Sequence, residues 1–489
     1  MNNDNKDFAV LKSSPGEIEV PKDNPFQYDE LEREAYAKTL TNVVRSFQNG
    51  TVIALNGAWG TGKTTFIRMW KQYLDNYDFP VVYYNAWEDD ISEEPLFSMI
   101  KSLKSLSKDE SSFDVFVEKV GKFIVGALFG AVKSVAGFGG KVVADSVKGG
   151  VDQIEKDCIE SLKSKDNTTT LLNGFKDALS EYVTDIASRG YEIPLVYFVD
   201  ELDRCNPTFA VKVLERIKHL FEVPNVVFVL SVDKKQLALS INGYFGSEQF
   251  DSNEYLRRFI DIEYNMPTHV APFYFNCLEK KYGITQVFSN YRLEYQKYED
   301  VYSYYSRFVI ELSNANDISL RQLEKIFTLV QLMLFDESFV HTFIKTGEEM
   351  YFIPLCFFMA YLKVCNNDIY QSILSGNYSL QELSDALENL LPEERKIDYF
   401  YERTLTTDYD HNELCVLLVL AHYCESTKLN RERFMQEAGV SKKTNVSSLQ
   451  ELNCLKFKRI SPNLLIKHQS LFDSELKSIF VWIDKMEMF

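Results

Sequence analysis

Along the first half of the chain, short apolar runs alternate with stretches in which apolar residues recur every three or four positions. Thr51 to Leu55, Pro80 to Tyr84, Leu195 to Val199, Val226 to Ser231 and Phe259 to Tyr264 are of strand length and rich in Val, Ile, Phe and Tyr. Helical spacing marks Tyr28 to Phe47, which should stop near Asn49-Gly50, then Thr64 to Leu74, Phe209 to Phe221 and Lys234 to Ile241. Strands apolar along their whole length leave no face for water. They predict an α/β fold: a parallel sheet flanked on both faces by helices. Past Pro267 the strand signals fade, and helical patterns such as Leu320 to Leu334 and Leu380 to Leu391 run to the C-terminus. The expected division is a polar leader over 1–25 and an α/β core over 26–267 with a helical insertion at about 95–190. A helical lid over 268–375 and a helical C-terminal domain over 376–489 complete it.

Chemistry concentrates where the first strand run ends. Gly57-Ala58-Trp59-Gly60-Thr61-Gly62-Lys63-Thr64 matches the phosphate-binding pattern G-x-x-x-x-G-K-[ST] in full. Glycines let such a loop curl so that successive N–H groups face a phosphate, and the following helix adds its positive end. Lys63 is expected to reach the β- and γ-phosphates, and the Thr64 hydroxyl to ligate Mg²⁺. The fold is therefore expected to be a P-loop NTPase core.

Such a site needs an acid at the tip of another buried strand. Leu195 to Val199 delivers Asp200, expected to hold Mg²⁺ through water at the sheet's carboxyl edge. Glu201, next in the chain, is the expected general base, with Asp203 the alternative. Positive charge for the γ-phosphate has four candidates: Arg204 after the acidic tip, Arg257 and Arg258 before the fifth strand run, and Arg321 in the helical half. Ser231 or Asp233, at the end of the fourth run, is placed to sense the γ-phosphate.

Composition narrows the remaining classes. The formal net charge of −18 over 489 residues is a poor match for coating nucleic acid, which needs clustered Lys and Arg. The eight cysteines are scattered with no C-x-x-C pair, as expected of reduced thiols packed as small hydrophobes, and the histidines form no zinc pattern. Met1 to Phe26 has no apolar core of a signal peptide, so a cytoplasmic location is expected. Phe123 to Val132 is apolar within a glycine-rich stretch, 121–150, but falls short of the ~20 residues that cross a bilayer. A helical hairpin or insertion packed on the protein is expected there, with membrane-surface contact or a partner groove as the alternative. Tyr351 to Leu362 and Leu414 to Ala421 read as short buried core helices.

Together these blocks resemble the KAP family of P-loop NTPases. The resemblance rests on the tryptophan-bearing loop Gly57 to Thr65, on Tyr84-Asn85-Ala86-Trp87, and on Phe198 to Pro207 continued by Leu214 to Lys218. Phe228 to Asp233, Tyr255 to Phe259 and Ser319 to Glu324 extend it, so that it covers roughly residues 25–335. It implies an ATPase core of ASCE type in which Gly57, Trp59, Gly60, Thr61, Gly62, Lys63, Thr64 and Thr65 bind ATP. It also implies a helical lid bearing Arg321, and action as a switch or assembly, either a homo-oligomer or engaged with a partner protein. The family often has Asp-Asp where this chain has Asp200-Glu201, which keeps the chemistry. It commonly inserts transmembrane helices between loop and acidic strand, whereas here the insertion holds only the short glycine-rich stretch. Prokaryotic relatives include a phage-exclusion protein, so a defence role is implied by resemblance alone.

Overall fold

The computed structural model describes residues 19–47, 50–91, 95–106, 113–117, 119–120, 168–220, 223–246, 250–267, 272–284, 306, 309–310, 312–316, 318–335, 349–375 and 390. They belong to two compact units, Lys12–Pro267 on the one hand and Thr268–Phe489 with Met1–Leu11 on the other.

In the first unit, β1 (Thr51–Asn56), β2 (Val81–Asn85), β3 (Leu195–Asp200), β4 (Val226–Val232) and β5 (Ile262–Asn265) form one sheet in the order β2-β3-β4-β1-β5. Every pairing is parallel. All positions of β3 and β4 are buried, which is why these strands read as unbroken apolar runs. Alternate residues serve opposite faces. Ile53, Leu55, Val196, Phe198, Val227 and Val229 pack with α1 (Glu34–Ser46) and α2 (Lys63–Asp75). On the other face Ala54, Tyr197, Val199, Phe228 and Leu230 pack with α3 (Pro95–Ser102), α4 (Thr168–Ser188), α5 (Pro207–Leu220) and α6 (Lys234–Phe245). Trp70 anchors the α2 side: fully buried, it meets Phe198 edge-on at 5.2 Å, and its Nε1 donates to Thr41 Oγ1 at 2.9 Å.

Two expected boundaries move, each for a local reason. The first helix starts at Glu34, because the Asp29 carboxylate accepts from the backbone N–H groups of Leu31, Arg33 and Glu34 and folds the preceding residues into turns. The fifth strand starts at Ile262. Asp251 caps a short helix, α7 (Ser252–Leu256), which continues as a turn through Phe259. Asp261 then enters the sheet, its N–H on Val52 O and its carboxylate accepting from Val52 N at 2.8 Å.

Every element described in the second unit is a helix: α8 (Pro272–Tyr282), α9 (Leu320–Phe335), α10 (Glu349–Cys365) and α11 (Asn367–Ser375). A capping box opens α9, with Ser319 N–H on Gln322 Oε1 and Gln322 N–H on Ser319 Oγ. Phe327 of α9 packs against Phe275, Tyr282 and Phe357. The 121–150 stretch, the Leu414 to Ala421 pattern and, apart from Leu390, the Leu380 to Leu391 pattern lie outside the described residues. Among the described residues no helix is long and apolar enough to cross a membrane. Cys205, Cys277, Cys356 and Cys365 are free thiols, buried or half-buried.

Candidate functional site

Strand β1 runs straight into the glycine loop. Gly57 N–H bonds Val232 O at 3.1 Å, which pins the start of the loop to β4. A Cβ at Gly57 would sit 2.9 Å from Thr61 Oγ1 and 3.2 Å from Met266 Cβ, so a side chain there would have to displace Thr61. Gly60 and Gly62 both hold φ +80°, and Gly62 is the N-cap of α2. Helix α2 therefore begins at Lys63, with its unpaired N–H groups and positive pole at the loop. Lys63 folds across the turn, Nζ donating to Gly57 O at 2.6 Å and Ala58 O at 3.2 Å. Burial pulls its ammonium below the ordinary lysine range, opposed by the carboxylates of Asp203, Asp233 and Asp200. Thr64 and Thr65 follow in the first turn, half-buried.

The acidic tip is built by β3, which β4 separates from β1. Ser231 is level with Leu55 on one side and with Asp200 on the other. Asp200 is 1% exposed; Oδ1 accepts from Glu201 N–H and Oδ2 from the Tyr83 hydroxyl, both at 3.0 Å. The Ser231 Oγ is buried without a hydrogen-bond partner among the described residues. The Asp233 carboxylate accepts from Lys235 N and Gln236 N through Oδ1 and caps α6.

Past Asp200 the chain turns sharply. Glu201 takes the left-handed conformation (φ +60°), costly for a side-chain-bearing residue. Its carboxylate pairs with Arg204 Nη1 at 2.7 Å, and burial raises it above the ordinary glutamate range, with Arg204 opposing. The Arg204 guanidinium also lies over the Trp87 ring, 5.7 Å from its centre. Asp203 accepts from Trp59 Nε1 at 2.5 Å, a bond from the glycine loop to the turn after β3. Arg257 is exposed and paired with Glu254, and Arg258 is exposed beside it. Arg321 is exposed in the first turn of α9, in the other unit.

These residues fit a magnesium–triphosphate. Thr64 and Asp200 offer hard oxygen donors, and each Asp200 oxygen keeps acceptor capacity beyond its one bond. The orphaned Ser231 hydroxyl, between the strands that carry loop and acid, has a donor to give to an anion. Among the described residues no three His, Cys, Asp or Glu side chains converge as a metal cluster. Magnesium, held by one or two carboxylates together with phosphate oxygens, needs none.

Two residues escape a reading of the sequence. Arg33, nearly buried before α1, donates from Nη1 to Gly62 O at 3.4 Å and from Nη2 to Pro267 O at 3.2 Å. Asn85, at the tip of β2 and level with Asp200, donates from Nδ2 to Glu88 Oε1 and accepts at Oδ1 from Trp87 N. Arg33 carries no motif, whereas Asn85 lies within the Tyr84 to Trp87 block, next to a strand end.

The model of the KAP family P-loop domain matches residues 33–334, well over half of the chain. No curated protein matches the sequence. Among solved structures, the Aeropyrum pernix ORC2 protein in its ADPNP–ADP complexes is similar at 12% identity and TM-score 0.29, covering 93% of this chain and 94% of that one. Cdc6p from Pyrobaculum aerophilum is similar at 13% identity and TM-score 0.35, covering 97% and 96%. At such scores these likenesses carry nothing toward the chemistry of this chain. The family match spans the glycine loop, the acidic strand tip and the intervening β4, and the chain belongs to the KAP family of P-loop NTPases.

Proposed function

We propose that the chain binds ATP with Mg²⁺ at the glycine loop and hydrolyses it, using the cycle as a conformational switch. The observation that carries this is the alignment of three strand ends: the loop on β1, the unpartnered Ser231 hydroxyl on β4 and Asp200 on β3. In this reading the loop amides and Lys63 bind the β- and γ-phosphates, and Ser231 donates to a γ-phosphate oxygen. Thr64 and Asp200 hold the magnesium, which neutralises phosphate charge. Glu201 takes a proton from the attacking water as the bond between γ-phosphorus and the bridging oxygen breaks, giving ADP and phosphate.

The Glu201–Arg204 pair supports a slow basal rate, because the guanidinium occupies one of the carboxylate oxygens that would take the proton. It also favours a second reading, a nucleotide-gated scaffold with little turnover. The test measures binding of fluorescent N-methylanthraniloyl-ATP with Mg²⁺, and phosphate release, for the full chain and two variants. Lys63→Ala should bind no nucleotide. Glu201→Gln should bind but scarcely turn over, and wild-type turnover in that variant would falsify the base assignment. Tight binding by wild type with phosphate release at background would select the scaffold.

A further inference from the structure

We propose that Trp59 and Asp203 form a strap that holds the glycine loop closed on a bound nucleotide, which makes Asp203 a positioning residue and leaves the base role to Glu201. The inference rests on the nucleotide-site reading above and extends it. Both ends of the loop are anchored, Gly57 by Val232 O and Gly62 as the cap of α2. Its tip, between them, is tied to another element through the Trp59 indole, which bonds a carboxylate 144 positions away in sequence. An indole N–H only donates and a carboxylate only accepts, so this bond has one sense. The Trp59 ring is 46% exposed while Asp203 is buried. With nearly half of the Trp59 surface in water, burial secures only part of this side chain, and its N–H contact adds a directed hold. Asp203 sits in the 3₁₀ turn Leu202–Arg204, directly after the strand that ends in Asp200. The bond therefore joins the two halves of the site, the phosphate loop and the acidic tip. Through Oδ2 this carboxylate holds the tip of the loop, and positioning is the task the bond assigns to it.

The strap predicts a defect in retention. With the full chain and Mg²⁺, release of N-methylanthraniloyl-ADP into excess ADP should be about tenfold faster in Trp59→Phe and in Asp203→Ala. The double variant should be no faster than either single one, because both remove the same bond. Asp203→Asn keeps an acceptor oxygen for the indole and should release N-methylanthraniloyl-ADP more slowly than Asp203→Ala. Additive effects, or release at the wild-type rate in Trp59→Phe, overturn the strap. So does an Asp203→Asn variant that retains ADP normally yet makes no phosphate, since that is the behaviour of a lost base. Should Asp203→Ala not fold, Trp59→Phe at its half-exposed site carries the test. A wild-type chain that binds no nucleotide sinks the site reading and the strap together, whereas normal wild-type binding with unchanged variants sinks the strap alone.

Discussion

Replacing Ser231 by alanine should stabilise the nucleotide-free protein and cripple its turnover. The hydroxyl is fully buried between β1 and β3 and unpartnered among the described residues. A buried polar group without a hydrogen bond costs about 1–3 kcal/mol in mutational series. Alanine removes only the oxygen and keeps the Cβ, so the packing loss is small. Taking the lower end as the net gain, about 1 kcal/mol raises the Tm of a unit this size by roughly 2–4 °C. The functional cost has the opposite sign. A hydrogen bond to a charged phosphate contributes about 1.5–3 kcal/mol, and its loss at the transition state slows the reaction by about 10- to 100-fold. Thermal unfolding followed by tryptophan emission, where Trp70 reports on this unit, reads the first effect, and phosphate release reads the second. Adding ATPγS with Mg²⁺ should then raise the Tm of wild type more than that of Ser231→Ala, because the hydroxyl donates only to the ligand. A lower Tm in the variant, or turnover at the wild-type rate, refutes the reasoning.

Trp70→Ala removes the ring between Phe66 and Phe198 and the bond to Thr41. It should cost about 3–5 kcal/mol, read as a lower urea midpoint. Phosphate release should fall on acidification at a pH above the ordinary glutamate range, because burial raises the Glu201 carboxyl and a protonated carboxyl accepts no proton from water. An acid limb at or below that range counts against it. Burial pushes the Cys205 thiol far above its usual range. Iodoacetamide at pH 8 should therefore leave it unmodified in the folded chain and modify it fully in urea, as mapped by peptide mass spectrometry.

What the sequence makes legible here is local. The glycine loop, the helix behind it and the apolar strands each sit within a dozen consecutive residues, and their periodicity survives folding because burial on both faces leaves little freedom of composition. Strand order is not local: β4 lies between β1 and β3 although it follows both in the chain, and only that order makes Ser231 a neighbour of Asp200. Ser231 and Asp233 are told apart only by their folded surroundings, a buried hydroxyl without a partner among the described residues against a carboxylate that also caps α6, and a cap one residue past a strand looks like any other acid in a motif. The partner of Trp59 is equally hidden, since an indole N–H announces a need for an acceptor without naming it. Asp29 shows the limit at boundaries. One side chain collecting three N–H groups overrules an apolar periodicity that runs back to Tyr28.

Arg33 has a practical corollary for anyone trimming this protein. Its guanidinium reaches forward 29 residues to the carbonyl at the base of α2 and 234 residues to the last residue of the first unit. A fragment begun at Thr51 would keep every glycine of the loop and every strand of the sheet, yet leave both carbonyls without this donor. The functional beginning of the α/β unit is thus set upstream of its first strand, by one cation that fastens the far end of the anion loop to a residue just past the last strand.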